Sequence, residues 1–207
     1  RAEAERDDGE QDIGVVVARP LLERAGQQAR DAEIPEHQLH QGGDVAVVGD
    51  VGGDEANRSF WTKDPQDQAL MQREGLKDPA ELQSYFEKKL EKLILSKGKK
   101  MIGWDEILEG GLAPEAAVMS WRGMEGGIKA ARMGHPVVMT PVNYTYLDFY
   151  QGDQLVEPDT YAMLRVSVCY KFEPVPDSVD PKYILGGQGN LWTESVPNGR
   201  HAEYMTW

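Results

Sequence analysis

At 207 residues the chain is long enough for one domain with a sizeable core. Its 35 acidic residues against 22 basic ones give a formal charge of -13, and no Lys/Arg stripe interleaves with aromatics, so nucleic acid is excluded as a partner. No apolar run reaches the roughly 18 to 20 uncharged residues of a membrane span, and the single cysteine, Cys169, allows no internal disulfide and no thiolate zinc cluster.

Between Arg1 and Ser59 there is no Phe, Tyr, Trp or Lys. A net-acidic stretch so poor in large apolar groups has little to offset the entropy of ordering, so residues 1–43 read as a disordered or weakly helical segment, distinct from a folded unit over 44–207. "DIGVVVARPLLERAG" and "DVAVVGDV" are the exceptions, the second predicting a short buried strand over 44–51. That strand runs into "VGGDEANRSFW", where Asp54 and Glu55 follow a glycine pair. Gly and Asp suit a solvated turn, so these residues by themselves leave a plain surface loop open.

From Asp78 the pattern becomes regular. Asp78 suits an N-cap, Pro79 the first helical position and Glu81 a capping box, while Leu82, Tyr85, Phe86, Leu90, Leu93 and Ile94 form a stripe at three-and-four spacing. The spacing predicts a helix over 79–97 with that stripe facing the core. Strands follow at "KMIGW" (100–104), "AAVMSW" (116–121), "PVVMT" (136–140) and "YILGGQGNLW" (183–192), with a short helix at "GMEGGIKAARMG" (123–134). Short apolar runs separated by helices or long loops imply parallel strands with crossovers, an α/β architecture.

Three apolar runs end in Trp followed by polar residues: "MIGWDE" (Trp104), "VMSWRG" (Trp121) and "NLWTE" (Trp192). In a parallel barrel all strand C-terminal ends lie on one face, where active sites are built, so these indoles and the adjacent acids converge on one pocket. Such a pocket suits a sugar, whose C–H faces pack on indole rings and whose hydroxyls donate to ionised carboxylates. Asp105 and Glu106 either touch substrate or pair with Arg122, the second being preferred. His37 and His40 stand close together without a further ligand, and His135 and His201 are isolated, so neither metal nor cofactor is expected.

From Val51 onward the chain resembles the catalytic domain of family 20 glycoside hydrolases, the exo-acting β-N-acetylhexosaminidases. The resemblance rests on "GGDEA", "LQSYF", "GWDEIL", "VMSWRG", "YLD", "FEPVP" and "NLWTE" in that order. It implies a (β/α)8 TIM barrel and substrate-assisted retaining catalysis, an exception to the two-carboxylate scheme. Glu55 then resembles the general acid, Asp54 the residue that orients the substrate's 2-acetamido nucleophile, and Tyr146 the tyrosine that hydrogen-bonds the acetamido oxygen. Asp148 and Glu194 resemble acids that hold sugar hydroxyls, and Trp104, Trp121 and Trp192 resemble the pocket walls. The implied partners are N-acetylglucosamine- or N-acetylgalactosamine-terminated glycans, with no nucleic acid and no membrane, in a periplasmic or extracellular setting. Both acids reach one sugar only if the strand ends before them, a departure that Gly52 and Gly53 permit. Burial of Glu55 against the indoles, with the Asp54 charge, is expected to raise its pKa.

The chain also departs from the family pattern. A complete barrel takes about 250 residues, and the arginine and histidine strands expected before "GGDEA" have no match. The expectation is therefore a partial barrel lacking its first strands behind a foreign segment. A tryptophan expected between Asp148 and Trp192 is absent, with Tyr161 its nearest substitute. Two other readings stay open: a carbohydrate-binding fragment without catalysis, and a glycosidase using Glu194 as a protein nucleophile.

Overall fold

The structure, a computed structural model, describes Val15–Val16 and residues 48–207. The expectations for the rest of residues 1–47, including the disordered reading of 1–43 and the first part of the 44–51 strand, lie outside the described residues. Val15–Val16 (β1) pairs antiparallel with Gly189–Asn190 (β7).

Five strands form one parallel sheet whose spatial order follows the chain: Val48–Asp50 (β2), Lys100–Trp104 (β3), Ala117–Ser120 (β4), Val137–Met139 (β5) and Ile184–Gly187 (β6). The pairing sets Val48 beside Lys100, Ile102 beside Ala117, Val118 beside Val137 and Val137 beside Ile184, with a register shift at Val137/Val138. Parallel neighbours need crossovers. Helices Pro65–Glu74 (α1) and Pro79–Ser96 (α2) join β2 to β3, and Glu125–Arg132 (α3) joins β4 to β5. Val142–Thr145 (α4) and Val166–Cys169 (α5) lie between β5 and β6, and Gly199–Thr206 (α6) ends the described chain. All five C-terminal strand ends therefore share one edge. No helix among the described residues is long and apolar enough to cross a membrane.

The α/β reading holds, and the predicted helix is present with its cap: Asp78 accepts from the Glu81 N–H at 2.9 Å, and Glu81 accepts from the Lys77 N–H at 2.8 Å. Its buried face matches the predicted stripe only in part, through Leu82, which is buried, and Ile94, which packs against the core. Phe86 and Leu93 are exposed, whereas Leu82, Gln83, Ser84, Glu87 and Glu91 are buried. The polar side chains face inward because loop backbone groups need partners there. Ser84 donates to the Gly111 carbonyl, Gln83 donates to the Gly53 carbonyl at 2.8 Å, and Glu91 accepts from the Glu115 N–H at 2.7 Å.

The main core joins Met101, Ile107, Val118, Ala130, Ala131, Val137, Met139 and Phe172. Each large apolar side chain fully buried here contributes roughly 1.5 to 3 kcal/mol. Helix α3 approaches closely because its inner positions are small: a Cβ on Gly127 would stand 2.6 Å from Met139 Sδ. A second cluster of Tyr146, Phe149 and Leu164, with Trp121 and Trp192 against it, lies beyond the strand ends.

Candidate active site

The β2 ladder extends two residues past the strand. Val51 N–H donates to the Ile102 carbonyl at 2.9 Å, and Trp104 N–H donates to the Gly52 carbonyl at 2.8 Å. The chain then turns through Gly52 (φ 62°) and Gly53 (φ 90°), left-handed conformations that cost a glycine nothing. Asp54 and Glu55 thus follow the end of the ladder, freed from strand alternation. Glu55 itself has φ 48°, uncommon for a residue with a side chain. Both acids are exposed, so the expected burial of Glu55 against indole walls is not present. The left-handed turn through Gly52 and Gly53 leaves the acid pair exposed, and among the described residues no hydrogen bond or ion pair engages the Glu55 carboxylate.

The aromatic residues do meet. The Trp104 and Trp192 ring centroids are 5.9 Å apart, those of Tyr146 and Trp192 are 6.3 Å apart, and Trp121 stacks on Tyr146 at 6.3 Å. Tyr146 thus sits between indoles that follow β4 and β6. Burial raises its pKa, hydrogen bonds with Trp192 and Asn190 oppose the shift, and the charges of Asp148 and Asp54 add to it.

Asp148, two residues after Tyr146, is 3% exposed, with Oδ1 lacking a hydrogen-bond partner among the described residues. Burial pushes its carboxyl up to about 6, aided by the charge of the exposed Glu194 and opposed by its own N–H and that of Trp192. A buried carboxylate oxygen that no protein donor reaches suits a ligand hydroxyl. Tyr161, the substitute for the absent tryptophan, is 78% exposed and takes no part in the aromatic group.

Asp105 and Glu106 belong to a 3-10 turn, Asp105–Leu108, buried throughout. Asp105 accepts from the Trp121 N–H at 2.9 Å and pairs with Arg122. Glu106 Oε2 accepts from the Trp121 indole N–H at 2.9 Å, and its Oε1 stands 3.5 Å from Arg122 Nε. The preferred pairing with Arg122 is what the structure shows. Burial first raises the Glu106 pKa, with the Trp121 hydrogen bond opposing.

Sequence reasoning missed the supports of this site. Asn190 takes the Leu147 N–H on its carbonyl at 2.7 Å and gives its side-chain N–H to Thr140 at 2.9 Å, tying the Tyr146 loop to the ends of β5 and β7. Gln83 and Arg58 brace the Asp54 loop, with Arg58 Nε donating to Gln83 Oε1 at 2.7 Å. An Asn beside a strand end and a Gln on a helix's inward face were the available signals.

The chain matches the model of the glycosyl hydrolase family 20 catalytic domain over residues 36–207. It belongs to family 20. The family match starts ahead of the motif-based beginning at Val51. A beta-hexosaminidase of Porphyromonas gingivalis is 48% identical over 164 residues, 76% of this chain and 21% of that protein. A second, from Vibrio furnissii, is 35% identical over 84% of the chain and 28% of its own length. The chain thus spans between a fifth and a third of these curated relatives. Among solved structures, the family 20 exo beta-N-acetylglucosaminidase of Vibrio harveyi in complex with N-acetylglucosamine is similar, with TM-score 0.68 and 32% identity over 78% of this chain and 26% of that one.

Proposed function

We propose that this chain supplies the catalytic edge of an enzyme that hydrolyses terminal non-reducing N-acetyl-β-D-hexosamine residues with retention, using the substrate's own acetamido group as nucleophile. The observation that carries the reading is the convergence of Trp104, Trp121, Tyr146 and Trp192 past successive parallel strand ends, with the buried Asp148 carboxyl two residues after Tyr146. The relatives named beta-hexosaminidase and the structure bound to N-acetylglucosamine support it. Strands β2 to β6, neighbours in chain order, are consecutive strands of a (β/α)8 barrel contributed from residues 44–207. The pocket takes N-acetylglucosamine- or N-acetylgalactosamine-terminated glycans in a periplasmic or extracellular setting.

In this scheme the indoles and Tyr146 enclose the acetamido group and one sugar face. Tyr146, a phenol and so an O–H donor at neutral pH, donates to the acetamido oxygen and directs it at the anomeric carbon. Asp54 stabilises the positive charge that grows on the acetamido nitrogen, and Glu55 protonates the departing oxygen. Asp148 and Glu194 accept from ring hydroxyls, and the Asp148 Oδ1 without a partner gains one. Release of an aryl alcohol from an aryl N-acetyl-β-glucosaminide, lost in Asp54→Ala, is the expected result. A sugar-induced Trp fluorescence change without release assigns the chain a binding role instead.

A further inference from the structure

We propose that Gln83, on the inner face of α2, is a positioning residue that clamps the loop carrying Asp54 and Glu55, an inference that rests on the roles proposed for those two acids. Gln83 is 6% exposed and its amide is fully engaged. Nε2 donates to the Gly53 carbonyl at 2.8 Å and to Glu87 Oε1 at 2.8 Å, while Oε1 accepts from Arg58 Nε at 2.7 Å. One side chain therefore holds the backbone just before the acid pair and the guanidinium just after it. Only an amide does both: a carboxylate has no donor for Gly53, and an ammonium has no acceptor for Arg58.

Each end of the clamp is anchored. Glu87, buried beside Gln83, fixes the amide's second N–H, and Gly53 packs so tightly that a Cβ there would lie 2.5 Å from Ile107 Cγ2 and 3.3 Å from Glu87 Oε1. At the other end Arg58 Nη1 pairs with Glu109 Oε2 at 2.6 Å, and Glu109 Oε1 pairs with Arg122 Nη1 at 3.1 Å. Arg122 in turn pairs with Asp105 and Glu106, the partners of Trp121. The acid loop and the Trp121 wall thus share one polar chain with Gln83 at its buried end. Between the two anchors stands Glu55 with φ 48°, a conformation that persists where its surroundings enforce it.

The test compares the full chain with its Gln83→Ala, Gln83→Glu and Arg58→Gln variants by amide hydrogen exchange and by hydrolysis of aryl and alkyl N-acetyl-β-glucosaminides. Exchange at the Trp104 N–H, which donates to the Gly52 carbonyl beside the clamped Gly53, is expected to rise about tenfold in Gln83→Ala, the equivalent of one lost hydrogen bond, with exchange at the centre of α2 unchanged. The kcat is expected to fall about 10- to 100-fold with KM nearly constant, more for the alkyl substrate, as displaced catalytic groups require. Gln83→Glu recovers toward the parent as pH falls, because a protonated carboxyl regains one donor. Unchanged exchange at the Trp104 N–H in Gln83→Ala overturns the clamp whether or not the chain hydrolyses anything. Should Gln83→Ala not fold, Arg58→Gln decides, and unchanged exchange at the Trp104 N–H there overturns the clamp equally. A parent without turnover whose loop loosens in these variants retains the clamp and defeats the catalytic reading alone.

Discussion

The indole N–H of Trp121 donates to Glu106 Oε2 at 2.9 Å, so a wall of the pocket after β4 is oriented by the polar turn after β3. Replacing Glu106 by Leu leaves that N–H without a partner and removes a neighbour of Arg122. Loss of about 1 to 3 kcal/mol is expected in denaturant unfolding. Glu106→Gln keeps an acceptor oxygen and loses less. In Glu106→Leu the change in Trp emission on adding N-acetylglucosamine should shrink; an emission change equal to the parent's would mean that Glu106 does not set the ring.

Asp148 links stability to pH with a definite sign. Its carboxyl titrates at about 6 in the fold, against about 3.9 for an unfolded chain. The folded state therefore binds the extra proton, and this group makes stability fall as pH rises from about 4 to about 6, after which the penalty is constant. Asp148→Asn, always neutral, should be more stable than the parent at pH 7, by an amount on the order of 2 kcal/mol. The two should converge near pH 4. A ligand hydroxyl that donates to the ionised form reverses the preference, so N-acetylglucosamine should bind the parent more tightly above pH 6 than below it and bind Asp148→Asn weakly throughout. Calorimetric titration at several pH values measures both effects, and pH-independent affinity would remove Asp148 from the sugar site.

Gly52 and Gly53 both turn left-handed, yet their surroundings differ. A Cβ on Gly52 meets only Asp54 Oδ1 at 3.3 Å, whereas one on Gly53 would stand 2.5 Å from Ile107 Cγ2 in the core. Gly52→Ala should cost about 1 to 2 kcal/mol for its backbone conformation. Gly53→Ala should add about 1 to 3 kcal/mol of overpacking and displace the acid loop. Equal unfolding midpoints for the two variants would show that Ile107 yields freely.

The chain order of strands, the cap of α2 and the meeting of Trp104, Trp121 and Trp192 were legible because each rests on local signals: β-branched runs, an Asp-Pro-x-x start and a repeated strand-end Trp. Helix α1 escaped notice although Asp64 caps it and Gly75 closes it with φ 68°. It buries no residue fully, so no apolar period marked it. The inward face of α2 was legible only in part, at Leu82 and Ile94, for a related reason. Periodicity reports where apolar side chains lie, while Gln83, Ser84 and Glu91 face inward to satisfy backbone groups of loops distant in sequence. The exposure of Glu55 was equally hidden, since a turn's direction depends on φ at Gly52, Gly53 and Glu55, which composition does not specify.

Asp54 and Glu55 are adjacent in sequence but are assigned different steps, and leaving-group dependence separates them. A general acid matters in proportion to the basicity of the departing oxygen, contributing roughly 100- to 10,000-fold where that oxygen needs a proton. Glu55→Gln should therefore lose most turnover of alkyl or sugar aglycones and retain much of it on an aryl aglycone with a good leaving group. Asp54→Asn acts before that point, on the charge that grows as the acetamido group attacks, so its loss should be similar for both aglycones. Because Asp54 and Tyr146 are both assigned to the acetamido group, Tyr146→Phe should match the Asp54→Asn pattern and not that of Glu55→Gln. Steady-state rates on one alkyl and one nitroaryl N-acetyl-β-glucosaminide suffice. Equal loss in Glu55→Gln on both substrates would take the acid role away from Glu55.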